Sequence, residues 1–379
     1  MLRQPGRGRR ARPRRPRTRA ERLVFLRRRL VVGTFVLIVL VAFAWIVWPS
    51  EHARNKPARL ATSPTTLRPP SPTTTVSGPP RVEAAPALEA APAPWQLTAP
   101  VSRTVATAVS GRLALFGGLG PRSVSTAAIL EVDPNSGQSQ RVGALASAVH
   151  DAGGAVIGGR YFVFGGGAQT VSSRVQAVAL DASASAPTTA SVVASLPAPR
   201  ADLAAAEYNG SVYLVGGYDG ANWSPSVLAT SDGSKFDVIA QLPTPVRYPA
   251  VAVVGHTLYV IGGELLGNRA DAPIVQEIDL NTHVATVVGH LAAGLSHAVA
   301  TAVKGTVYVF GGRSGGHAVD TIEALDPSTG GLQAVGHLPV PTSDMAAVTL
   351  GDAAYVLGGE GDNGQPVASV VVARVATGP

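Results

Sequence analysis

An all-β fold built from repeats is predicted by three features of this 379-residue sequence. A glycine pair that ends a short apolar strand occurs six times, and its first glycines, Gly117, Gly165, Gly216, Gly262, Gly311 and Gly358, fall 46 to 51 residues apart. A period of that size marks a stacked or radial repeat architecture. Glycine (42) and proline (30) are abundant while charged residues make up only 15%, which suits many short strands joined by turns. Six residues before each first glycine lies the second residue of a two-residue turn: Ser110-Gly111, Gly158-Gly159, Asn209-Gly210, Gly255-His256, Lys304-Gly305 or Gly351-Asp352. Such dipeptides supply the positive φ that tight hairpins need.

Each unit reads as four strands. An inner strand such as "HAVATAV" (His297 to Val303) precedes the tight turn, and a second strand ends at the glycine pair, where a side chain would collide with converging backbone or be strained at positive φ. A third strand, as in "DTIEALDPSTG", ends in a polar turn. Asp133, Asp181, Asp232, Asp279 and Asp326 recur in these turns, so turn-forming hydrogen bonds from their carboxylates are the expected role.

The fourth strand is marked by Leu145, Leu196, Leu242, Leu291 and Leu338, each 20 residues before the next first glycine, and Leu97 stands in the same relation to Gly117. No third strand precedes Leu97, whereas the C-terminal "ASVVVARVATGP" supplies a third strand with no fourth. The two defects are complementary. The segment around Trp95-Gln96-Leu97 is therefore expected to complete the sixth unit and close a ring, removing exposed sheet edges.

With "LPAPRADLAAAEYNGSVYLVGG" (Leu196 to Gly217) as its clearest copy, the repeat resembles the kelch repeat over Pro94 to Pro379. That resemblance implies a six-bladed kelch-type β-propeller closed by an N-terminal strand. The chain departs from the pattern in lacking the Tyr of the third strand and keeping only Trp95 for the Trp of the fourth, so its blades are expected to pack smaller aliphatic side chains.

Four segments follow from composition. Residues 1–29 hold 13 arginines against Glu21 and carry +12, while the remaining 350 carry 18 basic and 23 acidic groups, or −5. The tail reads as disordered and cytoplasmic. Residues 30–49 include 19 consecutive uncharged residues from Leu30 to Trp48, with arginines at the near end and Trp45 and Trp48 at the far end. A helix of that length spans about 28 Å, matching a bilayer core, and reads as a transmembrane signal anchor too long for a cleaved signal peptide. The excess of arginine keeps the N-terminus in the cytoplasm and places the propeller outside a cell membrane crossed once. Residues 50–93 are rich in Pro, Thr and Ala and read as a disordered linker. Expected partners are thus the lipid bilayer through residues 30–48 and anionic headgroups through the tail; nothing in the sequence argues for nucleic acid. Arginine (28) far outnumbers lysine (3), as in a high-GC bacterial genome.

Function must be argued from the surface. Strand alternation brings the fourth-to-first and second-to-third connections to one face, where the repeats differ most. Its candidate binding residues are Arg103, His150, Asp151, Arg200, Asp202, Arg247, Tyr248, His297 and Asp344 at the inner-strand starts, and Tyr218, Trp223, Glu264, Arg313 and Glu360 after the glycine pairs. Arg200 and Arg247 have two roles open, bracing neighbouring blades or binding. His297 reads as a strand-edge cap in preference to a metal ligand, and an exposed loop Trp such as Trp223 must pack or bind. The absence of cysteine excludes disulfides, thiolate metal sites and cysteine nucleophiles, and no P-loop, nucleophile elbow or dinucleotide fingerprint occurs. No cofactor or metal is expected. The favoured reading is a protein- or glycan-binding scaffold module at the cell envelope. The alternative is a carbohydrate-active enzyme, similar to sugar epimerases or mutarotases, that uses carboxylate pairs such as Asp151 with Asp202 or Glu264 with Glu360.

Overall fold

The computed structural model describes residues 85–180 and 188–376. The expected basic tail, transmembrane helix and most of the linker lie outside the described residues, as does Asp181. Among the described residues no helix is long and apolar enough to cross a membrane.

The six repeats form six antiparallel blades. In the first, Val105–Val109, Arg112–Phe116, Ala128–Val132 and Ser139–Ala144 follow one another outward from the axis, and a short parallel strand, Thr188–Thr189 from the second repeat, lies along the outer edge at Gly143–Ala144. Inner strands of neighbouring blades contact one another around the whole circuit, from Ala346–Leu350 back to Val105–Val109. The fold is all-β and six-bladed, as its period predicts.

Alternation within each second strand puts large apolar side chains between blades. Phe116 of the first blade stacks on Tyr161 of the second with ring centroids 4.0 Å apart. Similar clusters fill each of the other junctions, and the junction between sixth and first blades buries Leu97, Leu113, Leu115, Tyr355 and Leu357. Burying each such side chain contributes about 1.5–3 kcal/mol.

Closure departs from expectation in one respect. The strand that completes the sixth blade is Leu88–Pro92, paired antiparallel with Val370–Val375, and not the segment Trp95-Gln96-Leu97. It lies within the stretch whose composition reads as linker, so the ordered ring begins several residues before position 94. The physical reason is visible in the repeats. Leu291 lies inside the long fourth strand Ala285–Leu295, but Leu97, Leu145, Leu196, Leu242 and Leu338 each follow a fourth strand and donate their N–H to a carbonyl one or two residues before the third strand, at 2.7–2.9 Å. The leucine marks where the fourth strand has ended. Trp95 braces the closure by donating its indole N–H to the Pro134 carbonyl at 3.2 Å.

The turn aspartates behave as predicted wherever they are described. Asp133, Asp232, Asp279 and Asp326 each accept backbone N–H bonds from residues two positions on, at 2.7–2.9 Å. Those bonds, preceded at Asp326 by the Ser328 hydroxyl, hold all four carboxyls below the usual range.

Candidate functional site

Each glycine pair adopts positive φ at both positions. Its second N–H donates to a carbonyl of the loop entering the next blade: Gly118 to Val149, Gly166 to Arg200, Gly217 to Val246, Gly263 to Leu295, Gly312 to Thr342 and Gly359 to Val101, all at 2.8–2.9 Å. A Cβ on Gly117 would sit 2.6 Å from the Val149 carbonyl oxygen. Glycine is thus required both for φ and for the close approach of the neighbouring blade's backbone.

A second ring lies where the inner strands begin. Arg103, Asp151, Asp202, Tyr248, His297 and Asp344, one per blade, all adopt left-handed φ between 52° and 59°. Their backbones form a closed circle: Arg103 donates to Asp344, Asp151 to Arg103, Asp202 to Asp151, Tyr248 to Asp202, His297 to Tyr248 and Asp344 to His297, at 2.8–3.2 Å. One step earlier, Ser102, His150, Ala201, Arg247, Ser296 and Ser343 pair antiparallel with the residues after the glycine pairs, Leu119, Gly167, Tyr218, Glu264, Arg313 and Glu360. The two sets of loops therefore do share one face, as strand alternation requires.

Side chains from both sets interlock over the mouth. Arg103 reaches across from the first blade: its Nε donates to Glu360 Oε1 at 2.7 Å, and its Nη1 donates to Asp151 Oδ2 at 3.2 Å and to the Tyr248 hydroxyl at 3.1 Å. The Tyr248 hydroxyl donates in turn to Asp151 Oδ2 at 3.2 Å. Arg247 grips Glu264 through Nε and Nη2 at 3.0–3.1 Å and donates through Nη1 to Asp202 Oδ2 at 3.0 Å. Its guanidinium carbon lies 4.8 Å from the Trp223 ring centre and 5.5 Å from that of Tyr218, within cation–π range. The Trp223 indole N–H is fixed by the Glu264 carbonyl at 2.8 Å. His297 stacks on Tyr248 at 3.8 Å between centroids and holds Asp344 through Nδ1 at 2.6 Å.

These contacts set the protonation states. Burial draws the His297 imidazole down, but Asp344 and then Glu264 outweigh it and hold the group at about 9. Burial raises Glu264, yet His297 and Arg247 bring it down to about 2. Asp202 moves the other way: burial, with the adjacent Asp151 charge, lifts it to about 6 against the pull of Arg247. Burial also raises Asp151, more than Arg103 lowers it. Among the described residues no group of three or more His, Asp or Glu side chains is placed to hold a metal ion.

An axial cavity of about 220 Å³ runs from the ring residues Arg103, Asp151, Asp202, Tyr248, His297 and Asp344 inward between the inner strands. Beside it, two depressions open on the rim. One, of about 520 Å³, is bounded by Arg103, Asp151, Asp202, Tyr218, Arg247 and Tyr248. The other, of about 610 Å³, is bounded by Glu264, Arg269, Asp271, His297 and Arg313.

Comparison with known proteins agrees with this geometry. A family model described as "Kelch motif" matches residues 294–330. Kelch-like protein 25 of Xenopus tropicalis is 31% identical over 98 residues, which are 26% of this chain and 16% of that protein's length. A solved structure titled "Structure of YjhT" superimposes with a TM-score of 0.62 and 16% identity, covering 73% of this chain and 96% of that one; at that identity it speaks for the fold alone. Residues 294–330 thus carry a kelch motif within a six-bladed propeller.

Within this face, most sequence-predicted residues converge. All six left-handed ring positions are among them, as are Arg247, Glu264 and Glu360, which partner the ring, Tyr218, which walls the first depression, and Trp223, which packs edge-on against Tyr218 with ring centroids 5.6 Å apart. His150 lies at the same edge, with Nδ1 against Ser125 Oγ at 2.8 Å and Nε2 3.5 Å from Asp151. Arg313 stands apart at the second depression, bonded to the Gly316 carbonyl at 2.6 Å. Arg200 does not reach the mouth: it is buried and braces the second blade to the third through Ser224 Oγ and Ser226. The two carboxylate pairs divide. Asp151 and Asp202 are neighbours, whereas Glu264 and Glu360 belong to separate clusters, each already held by arginine. Sequence reasoning missed Arg269, whose Nε donates to Glu264 Oε1 at 2.8 Å. It also passed over Ser343, which donates to Asp344 Oδ2 at 2.8 Å. Arg269 had a signal, since it follows a glycine pair on the same connection as Glu264.

Proposed function

We propose that this propeller is a membrane-anchored binding module that presents its mouth-side face to a protein segment at the cell envelope. The anchor rests on the sequence alone: an arginine-rich start, 19 uncharged residues and a proline-rich spacer ahead of the ring. The binding reading is carried by one observation. Strained, non-glycine residues occur at all six mouth positions, where they display six side chains on a backbone circle fixed by hydrogen bonds. Left-handed φ costs a residue with a Cβ about 1–2 kcal/mol, and strain of this kind collects where a surface must be held ready for a ligand. The acids and bases at the mouth are largely committed to one another, which favours preorganised recognition over proton transfer.

The test is a parallel screen of the full chain, in neutral detergent, against a displayed peptide library and a glycan array, with sugar turnover followed beside it. Peptide binding weakened at least tenfold by Trp223→Ala is the expected result. Sugar turnover abolished by Asp151→Asn would establish the enzymatic alternative, and selective glycan capture would replace the protein partner. For the anchor, the full chain should stay with membranes through alkaline extraction, with its propeller open to external protease; release into the wash would remove that part of the reading.

A further inference from the structure

We propose that Ser125 is a nucleophile, activated by His150 for acyl transfer from carboxylic esters, an activity that goes beyond the binding reading above. Ser125 Oγ lies 2.8 Å from His150 Nδ1, across the junction between the first and second blades. Comparison of the repeats singles this pair out. His150 occupies the position before the left-handed ring. At that position in other blades Ser102, Arg247 and Ser296 each donate to a carboxylate of a loop that follows a glycine pair, those of Glu360, Glu264 and Asp271. Such bonds tie one loop to another. His150 meets a serine hydroxyl instead, a group whose proton an imidazole can take.

The imidazole is placed to act as the base. Nε2 lies 3.5 Å from Asp151 Oδ2, an oxygen that also accepts from Arg103 and Tyr248. A carboxylate on that side favours the tautomer with its proton on Nε2. Nδ1 is then the acceptor and the Ser125 hydroxyl its donor. The charged groups facing the ring are Arg103, Asp151, Asp202 and Glu360. Burial, and then Arg103, hold the imidazole below its usual range, so it is neutral and able to take a proton at pH 7. A hydroxyl within about 3 Å of a base whose other nitrogen faces a third group is the arrangement that covalent catalysis uses.

The hairpin that carries Ser125 supplies two further features. Leu119–Gly120 pairs antiparallel with Val124–Ser125, and the Thr126 N–H donates to the Gly118 carbonyl at 2.9 Å, so alternation turns the Ser125 N–H out of the ladder. Among the described residues that N–H has no acceptor, and it is free to donate to an oxyanion formed at Ser125. At the tip, Arg122 and Ser123 adopt φ of 61° and 55° in succession, backbone strain of the kind that collects at functional sites. Ser125 itself is half-buried, leaving part of its surface open to a reagent. In the transfer step Oγ bonds to the ester carbonyl carbon as its proton passes to Nδ1. The C–O bond to the alcohol then breaks, and the alcohol leaves with that proton. Water attacks the acyl-serine in turn, giving its proton to Nδ1, which returns it to Oγ as the acid departs.

The experiment uses the full chain in neutral detergent with two probes: an alkyl fluorophosphonate, whose phosphorus takes the serine oxygen and loses fluoride, and 4-nitrophenyl acetate as the ester. Peptide mapping by mass spectrometry is expected to find the phosphonate on Ser125, formed at least tenfold faster than on the exposed turn serines Ser136 and Ser234. The ester should release nitrophenolate in a burst of about one equivalent per chain, and Ser125→Ala should abolish it. His150→Gln should slow labelling at least tenfold. Asp151→Asn, a change at the positioning residue, should lower the maximal labelling rate and leave the half-saturating probe concentration unchanged. Should a variant fail to fold, the position labelled on the native chain still decides. Ser125 labelled no faster than the turn serines, or just as fast in His150→Gln, would overturn the activated serine, and absence of the burst would overturn acyl transfer. None of these results bears on the peptide screen, so the binding module stands or falls separately.

Discussion

Two circles of backbone surround the axis on the same face, and they differ in what occupies them. The glycine pairs repeat one residue type six times. The left-handed ring uses six positions with equivalent geometry and fills them with Arg, Asp, Asp, Tyr, His and Asp. Both circles have positive φ and both donate hydrogen bonds to a neighbouring blade. Where a Cβ would strike the next blade, only glycine serves; where the Cβ has room, a side chain is carried despite backbone strain. Repetition therefore reports the demands of the fold, and variation at a strained position reports the demands of the surface.

The contrast can be broken hardest at the glycines. Gly262→Ala places a Cβ against the Leu295 carbonyl at φ +62, and a loss of about 3–5 kcal/mol in denaturant unfolding is expected from combined clash and strain. A loss under 1 kcal/mol would show that the junction can yield. Next in size is closure. Leu88, 3% exposed, anchors the closing strand in the cluster with Tyr308 and Ile322, and Leu88→Ala should cost about 2–4 kcal/mol. An unchanged melting temperature would mean that the ring is sealed by Trp95–Leu97 after all.

The ring itself should show a pH signature. His297 is raised from 6.5 to about 9, so its pairing with Asp344 stabilises the fold fully below pH 6.5 and is lost as pH rises through about 9. At 1.36 kcal/mol per unit the loss is at most about 3 kcal/mol. The melting temperature should fall across that window, and His297→Gln should flatten the fall; an unaltered slope in the variant would contradict the pairing. The smallest effect belongs to the hairpin tips. A Cβ on Gly158 meets nothing within 4 Å, and Asn tolerates its left-handed backbone, so Gly158→Asn should shift stability by no more than about 0.5 kcal/mol. A large loss there would erase the distinction between glycines that pack and glycines that turn.

How far the sequence could be read follows from the same distinction. The glycine period, the hairpin dipeptides and the turn aspartates are local and repeated, so they were legible. So were the six ring positions, because each opens an inner strand whose place the glycines define. The closing strand was not. "LEAAP" has a single large apolar side chain and ends in proline, a composition shared with linkers, and it becomes a strand only because Val370–Val375 offers an unpaired edge, where proline is tolerated. The pairing of charges was equally hidden: Arg103 and Glu360 are 257 positions apart. Arg200 and Arg247 both start connections into a new blade, yet one turns inward to serines and the other outward to carboxylates. Only coordinates separate them.

The measurement that bears most directly on the account is amide hydrogen exchange at Arg103, Asp151, Asp202, Tyr248, His297 and Asp344. If the mouth is a closed, rigid circle, all six amides exchange only through global unfolding, at the rate of the second-strand amides of Leu115 and Val309. Exchange at any of the six as fast as at the outer-turn amides of Asn135 or Ser234 would show an open circle, and a preformed binding surface would no longer follow from this fold.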